Sequence, residues 1–365
     1  MVMRRLRALL ATGMLIALVA LVLSACGEPR GGGGGQEANK KSASGGPAHT
    51  NGQIAFRQWF DPDQTKGALF TMNPDGSQIR QITHPPEGWR DDDPVWSPDG
   101  QRIVFNREKS DESTSRIMVV NPNTGDERQV IPCTGRCVQD LDPTFSPDGD
   151  SVAFNRQVRP RIKGKSWKTP IFIVGLDGSD PHQLTETPKP HAPPAGPLDN
   201  GEPAISPDGK MLGFIRTRYE PEESTAIFVQ PIDSPGDVHQ LTPWKLNCQE
   251  RPEFSPDGKL MLFRCLPKGE EGPSNLYWVH PDGTGLHALT HEDADKQYLG
   301  SGFSPSFSEG EGWITVGRTD GYGDEGNADV FRVLIEDGEV VREVNLTKSA
   351  KWESNPNWGT HQPVG

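Results

Sequence analysis

"DPVWSPDGQRIVFNR", residues 93–107, places two short apolar stretches around the turn Pro98-Asp99-Gly100. Pro pre-sets its own φ for the second position of a turn, Asp suits the third, and Gly supplies the positive φ that closes a bulged hairpin. The run Ile103–Phe105 is β-branched and aromatic, as a buried strand requires. One such hairpin decides little; its recurrence decides the fold. "DPTFSPDGDSVAFNR" follows at 142–156 and "EPAISPDGKMLGFIR" at 202–216.

Two motifs alternate along the chain. The first, x-Pro-x-aromatic-Ser and a turn, begins at 93, 142, 202, 251 ("RPEFSPDG"), 304 ("SPSFSEGEG") and, truncated, 355 ("NPNWG"). The second leaves a strand, turns and in most copies reaches Leu-Thr or Ile-Thr. It begins at 72 ("MNPDGSQIRQIT"), 120, 174, 230, 279 and 335. Six copies of each at a spacing of about 50–60 residues fit four-stranded propeller blades. The folded part opens with "NGQIAFR", a second-strand pattern, and closes with "NPNWG", a first-strand pattern. That offset predicts an all-β, six-bladed β-propeller over residues 51–362, closed by N- and C-terminal strands of one blade.

These "P-x-[WF]-SPDG…IAF" hairpins and "NPDGS…LT" turns resemble the TolB-type Pro-Asp β-propeller repeats, over residues 51–360. The resemblance implies a fold that serves both as a protein-binding platform and as part of enzymes, so activity has to be argued from a site. TolB itself has an α/β domain before its propeller, and residues 26–50 offer none, so assembly into a Tol-type system is not implied.

Residues 1–25 read as a signal peptide. Arg4, Arg5 and Arg7 precede an apolar run from Leu9 to Leu23, and small residues lead to Cys26. "LSAC" resembles the bacterial lipobox, which implies removal of the preceding peptide and acylation of Cys26, with palmitate as an expected acyl group. Residues 26–50 are Gly/Ser-rich and behave as a tether with a mean span of about 27 Å. Gly27 rather than Asp follows the Cys, so no inner-membrane retention signal is present. The expected location is exported and lipid-anchored, at the extracellular face or in the periplasm. Loss of three Arg takes the formal charge from −13 to −16, which argues against nucleic acid as a partner. A monomer is expected.

After Cys26, four cysteines remain, an even number in an exported chain. Cys248 and Cys265 lie symmetrically about the Pro256-Asp257 turn and should face each other across a hairpin. "CTGRC" brings Cys133 to Cys137 in a tight loop. Two disulfides are expected, and no metal site, because no His stands at ligand spacing.

The second strands end repeatedly in Arg: Arg57, Arg107, Arg156, Arg216, Arg264 and Arg318. Counting across the hairpins sets Arg107 opposite Asp91, Arg156 opposite Asp140, Arg216 opposite Asp199 and Arg264 opposite Glu250. That is a structural ladder of ion pairs, and it leaves Arg57 and Arg318 as candidates for a ligand's carboxylate, phosphate or sulfate. The "SPDG" and "PDGS" turns share one face and are uniform. The other connections are long and diverse, which marks their face as the expected binding face. Trp59, Trp89, Trp167, Trp244, Tyr298 and Tyr322 lie in or beside these loops and are candidates for contact with a protein, peptide or glycan. Catalytic signals are thin: there is no G-x-S-x-G elbow, no H-E-x-x-H and no phosphate loop between strand and helix. His84, His191 and His291 fall in loops with Asp91, Asp93, Asp293 and Asp295, acids expected to be solvated rather than ligands. The reading is a non-catalytic binding propeller without cofactor. The alternative is a lyase or hydrolase acting on an envelope polysaccharide or small lactone at the same face.

Overall fold

The computed structural model describes residues 52–159, 169–186, 198–266, 274–291, 297–303, 305–319 and 327–359. In chain order the first blade receives β1 (Ile54–Trp59), β2 (Gly67–Met72) and β3 (Arg80–Gln81). Blade two is β4 (Trp89–Trp96), β5 (Ile103–Lys109), β6 (Ser115–Val120) and β7 (Glu127–Gln129). Blade three is β8 (Cys137–Phe145), β9 (Ser151–Val158), β10 (Ile171–Gly175) and β11 (His182–Gln183). Blade four is β12 (Leu198–Ile205), β13 (Met211–Arg218), β14 (Ser224–Pro231) and β15 (His239–Gln240). Blade five is β16 (Cys248–Phe254), β17 (Met261–Cys265), β18 (Asn275–Val279) and β19 (His287–Ala288). Blade six is β20 (Gln297–Phe303), β21 (Gly312–Thr319), β22 (Ala328–Glu336) and β23 (Glu339–Asn345). The last strand, β24 (Trp352–Trp358), returns to blade one.

Five sheets follow chain order, and the sixth is ordered β24-β1-β2-β3. Ile54 pairs with Trp358 and Trp59 with Trp352, so the C-terminal strand is the innermost strand of the N-terminal blade. The fold is the expected all-β, six-bladed propeller.

Both motifs have a hydrogen-bonding cause. In the first, Ser146, Ser206 and Ser255 donate through Oγ to Asp148, Asp208 and Asp257, at 2.5, 2.6 and 2.6 Å. The Gly that ends each of these turns sits at positive φ, 75°, 73° and 71°, where other residues are strained. In the second motif the Thr after the Leu or Ile reaches back to the third strand. Thr83, Thr185, Thr242, Thr290 and Thr347 accept, through Oγ1, the amides of Leu69, Ile171, Ile227, Leu276 and Val330 at 2.9–3.0 Å. A two-residue outer strand such as His182–Gln183 cannot hold its blade edge by ladder bonds alone, and this hydroxyl ties it down.

The core is divided into six wedges, each between successive blades. Phe105, Ile103 and Met118 of blade two pack on Ala55, Leu69 and Ile82 of blade one. Phe214 and Phe228 of blade four pack on Ala153, Ile171 and Leu184 of blade three. Blade six closes on blade one through Val330 and Leu346 against Ile54, Phe56 and Trp358. Phe56, Phe105, Phe154, Phe214 and Phe263 occupy one second-strand position and are all fully buried. Each contributes about 2–3 kcal/mol of burial.

Cys248 stands opposite Cys265, and disulfides join Cys133 to Cys137 and Cys248 to Cys265. Two bridges belong to a chain that folds in an oxidising compartment.

Two expectations are corrected by register. The fifth hairpin does not start at Ser304: β20 ends at Phe303, which pairs with Ile314, while Phe307 lies within the turn and packs on the Phe303 ring. Arg216 stands opposite Asn200, not Asp199. Every innermost strand carries a bulge between its aromatic end and its far half. Opposed residue numbers therefore do not keep a constant sum along a hairpin. In blade five the slip is two residues, so Arg264 faces Gln249, although its guanidinium still reaches Glu250 at 2.9 Å.

If β24 seals the ring, a chain ending at residue 351 should lose its cooperative thermal transition by circular dichroism; a sharp transition near the full-length midpoint would contradict the closure. Replacing Cys248 and Cys265 by Ser should cost about 3 kcal/mol in denaturant unfolding.

Candidate functional site: the propeller axis

The bulges put one residue of each innermost strand into the left-handed region at the same level. These are Asp93, Asp142, Glu202, Glu250, Gly300 and Asn355, with φ of 51°, 53°, 52°, 66°, 79° and 53°. Asp and Asn tolerate this conformation, Glu less so, and non-Gly residues there carry strain of about 1–3 kcal/mol each. It persists because neighbouring blades bond to one another through these residues. Asn355 of blade one donates to Asp93 of blade two at 2.5 Å and to Asp92 at 3.1 Å. Asn106 of blade two donates to Asp93 at 3.0 Å and accepts the Asp142 amide of blade three at 3.0 Å. The Asn155 side chain, oriented to satisfy its hydrogen bonds, donates to Asp142 Oδ2 at 2.8 Å. The Gly300 amide of blade six donates to Glu250 of blade five, and the Phe303 amide to Glu253 at 3.3 Å. The Trp96 amide donates to Asn357 of blade one at 2.9 Å.

Carboxylates thus converge on the axis from four blades. Burial raises Asp93 to about 8, helped by the neighbouring Asp92 and Asp142 charges and opposed by Arg251 and Arg57. Burial likewise raises Glu253 to about 8, opposed by Arg251. Glu202 is pushed well above the usual range by burial and by Asp142, Glu250 and Asp93. Asp142 is raised by burial too. Arg251 is the basic group these acids share.

Beyond this belt, on the side of the "SPDG" turns, a funnel of about 340 Å³ opens along the axis. All six blades line it. Trp96, Phe145, Ile205, Phe254, Phe303 and Trp358 form the wall, Pro98, Pro147, Pro207, Pro256 and Pro305 form the rim, and Arg251 and Glu253 also line it. The indole Nε1 atoms of Trp96 and Trp358 are buried and lack an acceptor. An apolar funnel with a few convergent polar groups is the usual form of a ligand site.

This cavity lies on the uniform-turn face, not on the variable-loop face. The signal was in the first motif: an aromatic or apolar residue at the end of every innermost strand converges on the axis in a closed ring. An acid just before Pro, in Asp93-Pro94, Asp142-Pro143 and Glu202-Pro203, marked the belt.

Among the described residues, the candidates from sequence do not assemble into one site. Arg57 is ion-paired to Asp92 of the next blade and donates to Ser354 at 2.5 Å, and Arg318 pairs with Glu343 at 2.6 Å; neither stands unpartnered as expected. Trp59 is buried, with the Arg57 guanidinium 4.5 Å from its ring centre. Tyr298 is fully buried in the wedge between blades five and six. Trp89 is half-buried beneath Arg116, and Trp244 is half-buried between Phe228 and Arg218. Trp167, Tyr322, Cys26, His191, Asp293 and Asp295 lie outside the described residues. Asp91 is buried against Arg107 at 2.7 Å, and Arg156 holds Asp140 at 2.6 Å, as the ladder predicts. Cys133, Cys137 and Asp140 lie close enough together to hold a metal ion, but the two sulfurs are consumed in a disulfide.

No family model matches the chain. TolB from Acinetobacter baumannii superposes with a TM-score of 0.58 at 21 % identity, covering 84 % of this chain and 66 % of that one. Hydrazine synthase of Kuenenia stuttgartiensis gives 0.61 at 12 % identity, over 86 % of this chain and 47 % of that one. These likenesses show the fold: this is a TolB-like propeller. Dipeptidyl-peptidase 5 of Porphyromonas endodontalis is 26 % identical over 210 residues, 55 % of this chain, so the chain matches about a quarter (26 %) of that protein's length.

The raised acids fix a pH dependence. An acid whose folded pKa exceeds its unfolded value binds more protons in the native state, so stability is lost as pH rises from about 4 through about 8. Among the described residues the Glu202 carboxylate has no hydrogen-bond partner, and Glu202→Gln should raise the melting temperature at pH 8 by about 3 °C or more while changing it little at pH 4. An equal change at both pH values would contradict the axial burial of charge.

Proposed function

We propose that this chain is an exported, membrane-tethered lipoprotein of the Pro-Asp repeat type whose propeller binds a peptide or protein segment in the axial funnel, without chemistry of its own. The observation that carries this reading is the convergence of aromatic and Pro side chains from six blades on one funnel lined also by Glu253. A segment with an apolar anchor and a following cationic group matches it. The anchor fills the wall between Trp96, Phe254 and Trp358, and the cation, on binding, takes the place of a proton on the raised acids Glu253 and Asp93. The cationic preference accords with the excess of acids over Arg251 at the axis. Acylated Cys26 and the tether of residues 26–50 support display of the propeller from a membrane, where a binding module gains from proximity to its partners.

Peptides selected on the full chain from a random library should carry an aromatic or aliphatic residue beside Lys or Arg. Their affinity should fall at least about tenfold on Phe254→Ala, a loss of roughly 1.4 kcal/mol. Selected peptides that bind wild-type and Phe254→Ala alike would place the site elsewhere. Cys26→Ser should move the protein from the membrane to the soluble fraction; a Cys26→Ser form that stays in membranes would remove the lipid anchor from the account.

A further inference from the structure

The second-strand Arg residues are built into ion pairs in five blades. Arg57 holds Asp92, Arg107 holds Asp91, Arg156 holds Asp140, Arg264 holds Glu250 and Arg318 holds Glu343. Blade four keeps the Arg and has lost the acid. Arg216 is 8 % exposed, yet among the described residues its one polar contact is Nε donating to Asn200 Oδ1 at 2.9 Å. Asn200 stands where Asp91 and Asp140 stand in their blades. A second acid is missing as well. Glu127 and Glu343 reach their Arg from the outermost strands of blades two and six, and the residue next in register on that edge of blade four is Val238.

Asp199 does not compensate. Successive side chains of a strand face opposite ways, and Asp199 pairs with Thr217 and accepts the Tyr219 hydroxyl at 2.6 Å. In sequence, residues 159–171 and 187–198 contain no Asp or Glu, and no acid of the β13–β14 connection (Glu220, Glu222, Glu223) acts on Arg216, whose guanidinium responds to burial. Burial with no counter-charge pulls the Arg216 guanidinium down to about 10.

The geometry is that of a prepared anion site. Phe214 and Phe228 lie 5.3 and 4.9 Å from the guanidinium carbon and fix its plane. Asn200 fixes Nε, and among the described residues neither Nη nitrogen has a hydrogen-bond partner. An Arg fork held in this way matches a two-oxygen acceptor bidentately.

We propose that Arg216, in the wedge between blades three and four, binds an oxyanion, a carboxylate or a phosphate or sulfate ester, in the place that Asp91 and Asp140 fill within their own blades. The site is separate from the axial funnel and does not depend on it.

The test uses the full chain in thermal unfolding, with about 20 mM phosphate, sulfate or acetate compared against chloride at equal ionic strength. At least one anion should raise the wild-type midpoint by about 2 °C or more. Phosphate or sulfate acting alone assigns an ester group, and acetate acting alone assigns a carboxylate. Asn200→Asp supplies the missing acid from within. It should raise the midpoint in chloride and abolish the anion increment. Arg216→Gln should abolish the increment too, and if that variant does not fold, Asn200→Asp decides. No increment in wild type, or an increment that survives in Asn200→Asp, overturns the proposal.

Discussion

The structure depends on a hydrogen-bonded belt around an axis where like charges meet. Asn355, Asp93, Asn106, Asp142 and Glu250 link blade to blade only because each innermost strand bulges at the same level and turns one residue inward. Each bulge costs backbone strain, and the acids it gathers repel one another. The ring closure through β24 and the six apolar wedges overcome that cost. A sheet standing alone would relax its bulge; a closed ring of six cannot relax one without losing its neighbours.

The belt and the funnel share one origin. The bulge that points an acid at the axis also rotates the next half of the strand, so Trp96, Phe145, Phe254, Phe303 and Trp358 line a common cavity. Charge beyond it and apolar surface along its wall give the funnel a direction. That polarity is why the proposed ligand has an apolar anchor followed by a cation, rather than an apolar group alone. The fold relation to TolB and to hydrazine synthase does not choose between binding and chemistry. The choice here rests on what the axis presents.

Much of the fold was legible because Ser-Pro-Asp-Gly turns and Thr hydroxyl anchors are local devices that leave fixed marks at fixed spacing. Ser146 to Asp148 or Ile171 to Thr185 needs no knowledge of the rest of the ring. The half-blade offset between "NGQIAFR" and "NPNWG" gave away the closure, and the Cys248–Cys265 pair gave away a register. The site was less legible because it is built from bulges. A bulge has no sequence mark of its own, and in blade five its two-residue slip set Gln249, not Glu250, opposite Arg264. Arg57 and Arg318 read as unpartnered because their acids, Asp92 and Glu343, come from the next blade and from the outermost strand. Tyr298 read as exposed because it follows a loop, yet it fills the wedge between two blades.

The most direct measurement is native-state hydrogen exchange at the belt. The amides of Trp96, Asp142, Gly300 and Phe303 each donate across a blade boundary, so a ring locked at its axis opens them only together. The account predicts one common, slow exchange rate for all four, equal to that of the second strands and raised in unison by denaturant. Exchange that proceeds blade by blade, with any of these amides opening well before the rest, would contradict it.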